Sequence, residues 1–258
     1  MKKLLVLTIS FLFLWVSSGL AEPIIQKKHT WELGTEIFHF KYEEPNLMEN
    51  KGMMYGLVGS YTYHGGIMFN GEGRFSYGQV DYTSSGTGSM DNIDDYIFEI
   101  RGVVGYDFPL SETFFLTPYI GLGYRYLFDD KGGRTSTTGQ WGYDRESNYY
   151  YSPIGLWMNT NYEKWSFGLI LEYDIFWWGK QTSYYSDVPG YSFDVENDQD
   201  EGYGLRSSFK IVRKFTRTSL VIEPFVRYWD IDDSDISLGF IEPANETIEA
   251  GIKIAIRF

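Results

Sequence analysis

The sequence lacks cysteine entirely and is short of basic residues and histidine. Without cysteine there is no disulfide framework and no thiol chemistry. Lysine and arginine number 22 against 35 acids, and the resulting formal charge of −13 makes the chain a poor binder of nucleic acid. Beyond the N-terminus no segment approaches the run of about 18 uncharged apolar residues that a transmembrane helix needs, which excludes a helical membrane protein.

The N-terminus carries the one long apolar run. A basic MKK start, the apolar stretch LLVLTISFLFLWV and the small residues SSGLA predict a secretory signal peptide over residues 1–21, cleaved after Ala21. The run is too short and too early for a lasting transmembrane helix, although an uncleaved anchor remains the alternative. Residues 22–258 contain no linker-like stretch, so we expect them to form one domain.

Alternation of apolar and polar residues predicts an all-β protein. In the segment KWSFGLILEYDIFWWG, Trp165, Phe167 and Leu169 share one face, while Glu172 and Asp174 lie on the other. A buried helix would point acids two residues apart in divergent directions, so the strand is favoured. The alternation gives ten strands, at residues 30–41, 52–63, 67–79, 94–108, 113–127, 148–159, 164–178, 203–213, 218–230 and 246–258.

Short and long connections alternate between these strands. The tight links HGG, PLSE, NTNYE and FTRT separate longer polar ones, which are EEPNLMENK, QVDYTSSGTGSMDNID, DDKGGRTSTTGQWGYDRES, GKQTSYYSDVPGYSFDVENDQDEG and DIDDSDISLGFIEPAN. An up-and-down meander with this alternation collects its short turns at one end and its long acidic loops at the other. Outer-membrane barrels have this asymmetry, with short periplasmic turns and long extracellular loops.

A soluble lipocalin-type barrel, with its apolar face inward, is the alternative architecture. Three features favour the membrane. The predicted strands are long enough to cross it at a tilt. An even number of strands lets the last pair with the first, and this closure removes the edges that lipid does not tolerate. Aromatic residues bracket the apolar face, as interfacial girdles require, at Trp31, Tyr106, Tyr126, Trp165, Trp177 and Tyr228.

The last strand, IEAGIKIAIRF, ends on an aromatic residue. Ile254, Ile256 and Phe258 share its apolar face. Alternating apolar residues that end in a C-terminal aromatic resemble the assembly signal which outer-membrane barrels present to their insertion machinery. The resemblance implies that this machinery is a partner of the last strand.

The segment TPYIGLGYRY, at residues 117–126, is similar to a PY-x-G-x-G strand of small Gram-negative outer-membrane barrels. The chain thus resembles the opacity proteins and the transmembrane domain of outer-membrane protein A. Those families mostly have eight strands, whereas the alternation here gives ten, the number found in the omptin proteases. The resemblance implies a location in the outer membrane, in contact with its lipid and lipopolysaccharide.

The polar faces of the strands are expected to line the lumen, where acids and bases are balanced. A barrel of this size leaves an interior about filled by side chains, and charges in such a space must be paired. We therefore expect a salt-bridged, largely plugged lumen, and a narrow path for small solutes is the alternative. The predicted network comprises Glu72, Arg74, Glu99, Arg101, Arg125, Glu172, Asp174, Arg206, Lys210, Glu223, Arg227, Glu249 and Lys253, with Glu32, Glu36 and Arg257 on the same faces.

The long connections are rich in acids, notably in FDVENDQDEG and WDIDDSD. Spaced carboxylates are hard oxygen ligands suited to Ca²⁺ or Mg²⁺. The frame of an EF-hand is not reproduced, because Gly202 comes too late and no bidentate glutamate follows. Solvated loops are the first expectation, and divalent cations that bridge the acids to lipopolysaccharide phosphates are the alternative.

Enzymatic barrels depend on histidine, and the chain has only His29, His39 and His64. Omptin-type proteolysis needs an Asp–His pair facing an Asp pair above the extracellular rim, but no long loop here contains a histidine. Lipid-modifying barrels need a histidine beside a nucleophilic serine on the lipid face, and no serine is in phase with His39 on neighbouring strands.

The sequence therefore predicts a non-enzymatic barrel without catalytic residues, a cofactor or a metal, whose surface loops serve adhesion, interaction or envelope integrity. The alternatives are a narrow porin-like channel and a lipid-modifying or omptin-like enzyme.

Overall fold

A computed structural model describes residues 27–258, so the predicted signal peptide at residues 1–21 lies outside the described part. The described chain is all-β, apart from a short 3₁₀-helix at Tyr185–Asp187. No helix within residues 27–258 is both long and apolar enough to cross a membrane. The strands are β1 (His29–Glu44), β2 (Met48–Gly65), β3 (Ile67–Ser84), β4 (Gly88–Tyr106), β5 (Phe108–Pro109), β6 (Phe114–Asp130), β7 (Arg145–Tyr162), β8 (Trp165–Ser183), β9 (Val195–Gln199), β10 (Gly202–Lys214), β11 (Ser219–Ile231) and β12 (Asn245–Arg257).

Ten of these strands form a closed antiparallel barrel in meander order. The two-residue β5 pairs only with β6, and β9 extends the pairing of β8 beyond the part that β10 covers. The barrel closes where β12 pairs with β1, from Glu32 opposite Arg257 to Glu43 opposite Glu246. Every long strand therefore has two neighbours, as a lipid environment requires. The predicted fold class is confirmed.

Apolar side chains cover the outside of the barrel in a continuous belt, while the polar faces point inward. On β1, Leu33 is 62% exposed and its neighbour Glu32 only 8%. On β8 and β10, Glu172 and Arg206 face inward, as predicted for the lumen, while Leu171 and Leu205 face outward. Exposed aromatic side chains edge the belt, among them Trp31, Tyr106 and Trp165 near the short turns and Tyr77, Trp177 and Trp178 at the opposite side.

The barrel continues beyond this belt at the end opposite the short turns. There the outward residues are charged, for example Lys41, Asp81 and Lys180. The prediction of long loops at EEPNLMENK and QVDYTSSGTGSMDNID is wrong, because β1–β4 run through both segments and leave only turns at residues 45–47 and 85–87. The three remaining long connections, at residues 131–144, 184–194 and 232–244, lie at this same end.

The alternation changes phase where the strands leave the belt, which explains why those strands were predicted too short. On β1 the apolar residues face outward up to Ile37, and then Phe38 and Phe40 face inward. On β4, Phe98 faces outward but Ile93 is fully buried inside. Outside the lipid the outer surface must be polar, so apolar residues move to the interior and the strand no longer shows one constant apolar face.

Candidate functional site

The centre of the lumen is filled by arginines and glutamates that share partners. Arg74 lies 3.2 Å from Glu36 and 2.7 Å from Glu99. It also lies 3.0 Å from Glu249, and Arg227 lies 3.0 Å from the same carboxylate. Arg227 reaches Glu36 as well, at 2.9 Å. Each carboxylate has at least two guanidinium partners, which is the arrangement that makes buried charges tolerable.

A second cluster surrounds Arg206. This guanidinium contacts Glu99 directly and lies 2.8 Å from Asp174 and 3.2 Å from Glu172. Glu172 in turn contacts Arg101. Glu99 accordingly joins the two arginine clusters across the lumen, although its strand, β4, is not a neighbour of β10 in the barrel wall.

A third cluster lies toward the short turns and uses lysine. Lys253 lies 2.6 Å from Glu223, and Lys210 lies 3.5 Å from the same residue. Arg257 lies 2.6 Å from Glu32. Lys210 is 3.3 Å from Glu32 and so links the two carboxylates.

The structure brings all the sequence-predicted lumen residues together on the inner face. Arg125 is fully buried, 2.7 Å from Glu249 and stacked 5.6 Å from the Trp229 ring. Glu72 lies at the edge of the group, 3.6 Å from Arg101.

Two tyrosines were missed by the sequence interpretation. Tyr119 donates a hydrogen bond of 2.8 Å to Glu172, and Tyr151 donates one to Glu99. Both rings lie where a glycine leaves room, because a Cβ at Gly155 would be 2.2 Å from Tyr119 and one at Gly123 would be 2.1 Å from Tyr151. The signal was present, since Tyr119 and Gly123 share their phase with Arg125 in the TPYIGLGYRY segment.

An apolar layer lies directly above the charges, on the side away from the short turns. Its side chains face inward at the level where the alternation changes phase. Phe38 and Trp229 are each 1% exposed. The layer consists of Phe38, Phe40, Met54, Val80, Ile93, Ile97, Tyr149, Phe176, Trp229 and Ile231. Two successive layers therefore fill the lumen, one of paired charges and one of apolar side chains.

Above the apolar layer, one guanidinium is shared by two carboxylates. Arg145 lies 2.7 Å from Glu44 and contacts Glu242, which comes from the β11–β12 connection. The Tyr42 hydroxyl lies 3.2 Å from Glu44 and 3.3 Å from Glu242. Burial raises the pKa of Glu242 from 4.5 to about 7, opposed by Arg145 and reinforced by Glu44.

The barrel end above this cluster forms an open cavity of about 330 Å³, which we call the extracellular cup. Trp141 is 46% exposed at its rim. The rings of Tyr143, Tyr185 and Phe240 pack in a row, with centroids 4.5 Å and 4.9 Å apart. The neutral polar lining side chains include Tyr82, Ser84, Ser85, Thr87, Gln140 and Asn197, and the charged ones are Glu44, Lys131, Arg145 and Glu242. Rings and neutral polar groups together are typical of small-molecule sites.

None of the three histidines lies at the extracellular cup. His39 is exposed on the outer face of β1. His29 is at the start of β1, with its Nδ1 2.7 Å from the Tyr61 hydroxyl. His64 is inside the opposite end of the barrel, with its Nδ1 2.9 Å from Asp107.

The acids of the predicted divalent-cation segments are mostly exposed and dispersed. Asp198, Asp200, Asp232, Asp233 and Asp235 all face solvent. Within the part of the chain that the structure describes, no three His, Cys, Asp or Glu residues are grouped so as to hold a metal ion.

The C-terminal residues proposed for assembly lie on the outer face of β12. Ile254, Ile256 and Phe258 are between 43% and 49% exposed. Phe258 also exchanges two backbone hydrogen bonds with Trp31, of 3.0 Å and 3.1 Å. This last residue therefore belongs to the seam that closes the barrel.

Comparison with solved structures supports the architecture. The outer-membrane protease OmpT of Escherichia coli superimposes with a TM-score of 0.65 over 89% of this chain and 96% of that one, at 10% identity. The fold is that of Gram-negative outer-membrane β-barrels. The translocator domain of the autotransporter NalP of Neisseria meningitidis (TM-score 0.46, 11% identity, 89% of each chain) is a looser match. No family model matches the chain, and no curated protein matches it.

Proposed function

We propose that the protein is a non-enzymatic outer-membrane barrel that binds a ligand at the cell surface and does not conduct solutes. The observation that carries this proposal is the contrast between the two parts of the interior. The membrane-spanning lumen is filled, whereas the extracellular cup is open and lined with aromatic side chains, of which Trp141 is exposed.

The filled lumen argues against a channel. Arg125, Glu249 and Asp174 are inaccessible to water, and so are Met54 and Ile93 in the layer above. An ion on this route would first meet paired charges and then a dry apolar constriction, and such constrictions block conduction by dewetting. The cavity that lies within the charged region holds only about 70 Å³.

The chemistry of the cup favours a neutral saccharide as the ligand class. Sugar rings present C–H faces that pack on aromatic rings, and Trp141, Tyr185 and Phe240 supply such surfaces. Ser84, Gln140 and their neutral neighbours can exchange hydrogen bonds with hydroxyl groups. The surrounding acidic loops repel polyanions, so a sulfated or otherwise anionic glycan should bind poorly.

The likeness to OmpT shows a shared fold, and the protease activity belongs to that protein. Hydrolysis of the omptin kind needs a histidine at the extracellular rim. His29 and His64 lie at the opposite end of the barrel, and His39 lies on its outer face. These positions support a binding protein over a hydrolase.

A glycan array tests the proposal directly. Folded, labelled protein should bind a subset of neutral glycans and ignore sulfated ones. Trp141→Ala should abolish that binding, because it removes the exposed ring at the rim. Ile236→Ala is the matched control, since Ile236 is 75% exposed in an adjacent loop but does not line the cup. Equal loss in both variants, or no glycan binding by the wild type, would contradict the assignment.

A further inference from the structure

The periplasmic end of the lumen holds another cavity, of about 210 Å³, which we call the periplasmic vestibule. It is enclosed by the ends of several strands and by the β10–β11 turn. Four cationic side chains line it, those of Lys27, Lys214, Arg217 and Arg257, and the lining side chains of the described residues include no carboxylate. Positive charge is thus concentrated at the periplasmic vestibule, although the formal charge of the chain is −13.

Three of these cations have no acidic partner in the described part of the chain. Within residues 27–258, no carboxylate lies within 4.0 Å of Lys27, Lys214 or Arg217. Arg257 differs, because Glu32 holds it from the lumen side.

Neutral donors in the same wall also lack acceptors. Asn161 is 94% buried, and its Oδ1 accepts a hydrogen bond of 2.9 Å from Lys214. Because lysine can only donate, the amide orientation is fixed and Nδ2 is left as a donor. Neither Asn161 Nδ2 nor Trp157 Nε1 has a hydrogen-bond partner among the described residues. Buried donors rarely stay unpaired in native proteins, so each one indicates a missing acceptor.

We propose that the periplasmic vestibule is a binding site for an oxyanion, specifically a phosphate group. A phosphate offers several acceptor oxygens at once and carries at most two negative charges, which suits a lining that supplies lysine, arginine, amide and indole donors. The cavity is wider than a bare phosphate, so the group can be carried by a phospholipid head group of the inner leaflet or enter as free phosphate. The site is independent of the extracellular cup.

The test uses the intact barrel in a maltoside detergent, which contains no phosphorus. Isothermal titration with inorganic phosphate measures the free anion, and native mass spectrometry with phosphatidylglycerol or phosphatidylcholine measures the retained lipid. Arg217→Gln and Lys214→Gln should each weaken binding about tenfold or more. Arg217 is on an exposed turn, so its replacement leaves the fold intact.

Lys28→Gln is the matched control, because it removes the same charge at the same end of the barrel. Lys28 stacks on Tyr63, 5.5 Å from its ring centroid, and does not line the vestibule. Binding of either probe that falls in the two vestibule variants and persists in the control supports the site. Binding of phosphate alone assigns a free anion, and retention of phosphatidylglycerol assigns a lipid. No binding of either probe, or equal loss in all three variants, would overturn the proposal.

Discussion

At the scale of single residues, most of the buried charges of the lumen contact more than one group of opposite charge. Arg74 has three carboxylate partners and is 3% exposed, so it cannot reach water when a partner is lost. Buried ion pairs are weak contributors to net stability, but removing one member is costly because the remaining charge stays behind without compensation. Truncating one charged side chain of the lumen should therefore cost more stability than the ion pair itself contributes.

Arg74→Ala is expected to lower the free energy of unfolding by about 3–5 kcal/mol, because Glu36, Glu99 and Glu249 each lose a partner. Urea unfolding in lipid vesicles measures this. Arg213→Ala is the control, since Arg213 lies outside, 4.7 Å from the Trp165 ring, where a cation–π contact contributes only about 0.5–1 kcal/mol. Similar shifts in both variants would mean that the lumen charges are not coupled as the distances indicate.

Phe258→Asp should reduce the yield of protein in the outer membrane of cells far more than refolding into detergent. The ring is 47% exposed, so its loss removes less than the roughly 1.5–3 kcal/mol of a fully buried side chain. Insertion machinery, by contrast, would meet the last strand before β12 pairs with β1. The comparison is between surface level in cells and refolding yield in vitro. Normal surface levels of the variant would mean that Phe258 has no role in assembly.

At the scale of elements, the sequence predicted strands well where lipid imposes one apolar face. Glu99 and Arg101 of β4 were correctly predicted to face inward, and they alternate with outward Tyr96, Phe98 and Ile100. Prediction failed outside the belt. There the apolar residues point inward and the polar ones outward. A strand that crosses this boundary does not keep its apolar residues on one face, so its outer part was predicted to be a loop.

The protein should be more stable in mild acid than at neutral pH, because Glu242 is buried in the β11–β12 connection. Glu242 has its pKa raised to about 7 in the folded protein against an ordinary 4.5. The stability associated with its neutral form is complete below about pH 4.5 and is lost as the pH rises through 7. Thermal midpoints should therefore fall between pH 5.5 and 7.5, by more in the wild type than in Glu242→Gln. Parallel pH profiles of the two proteins would mean that burial does not raise the pKa of Glu242 in the folded protein.

At the scale of the whole molecule, closure brings together groups that the sequence keeps far apart. Glu99 meets Arg206, and Glu242 meets Arg145, only because the sheet closes into a ring. Inward phase predicted which charges belong to the lumen but not which pairs form. The extracellular cup and the periplasmic vestibule are formed by loops and strand ends from several hairpins, so neither can be predicted from a local sequence pattern.

The closed barrel should resist detergent until it is heated. Folded protein is expected to migrate faster on a gel when unboiled than when boiled, because β12 paired with β1 leaves no edge from which unfolding can start. Arg74→Ala should lower the temperature at which the slow band appears. Identical migration before and after boiling, together with a helical circular-dichroism spectrum, would contradict the architecture.

Conductance in a planar lipid bilayer tests the central claim most directly, namely that the lumen is sealed and the protein acts at its outer surface. Purified, heat-modifiable wild-type protein should insert and show no steady conductance, since paired charges and the apolar layer around Trp229 fill the lumen in series. Large, stable channel openings from the wild type would contradict the account and establish a pore in its place.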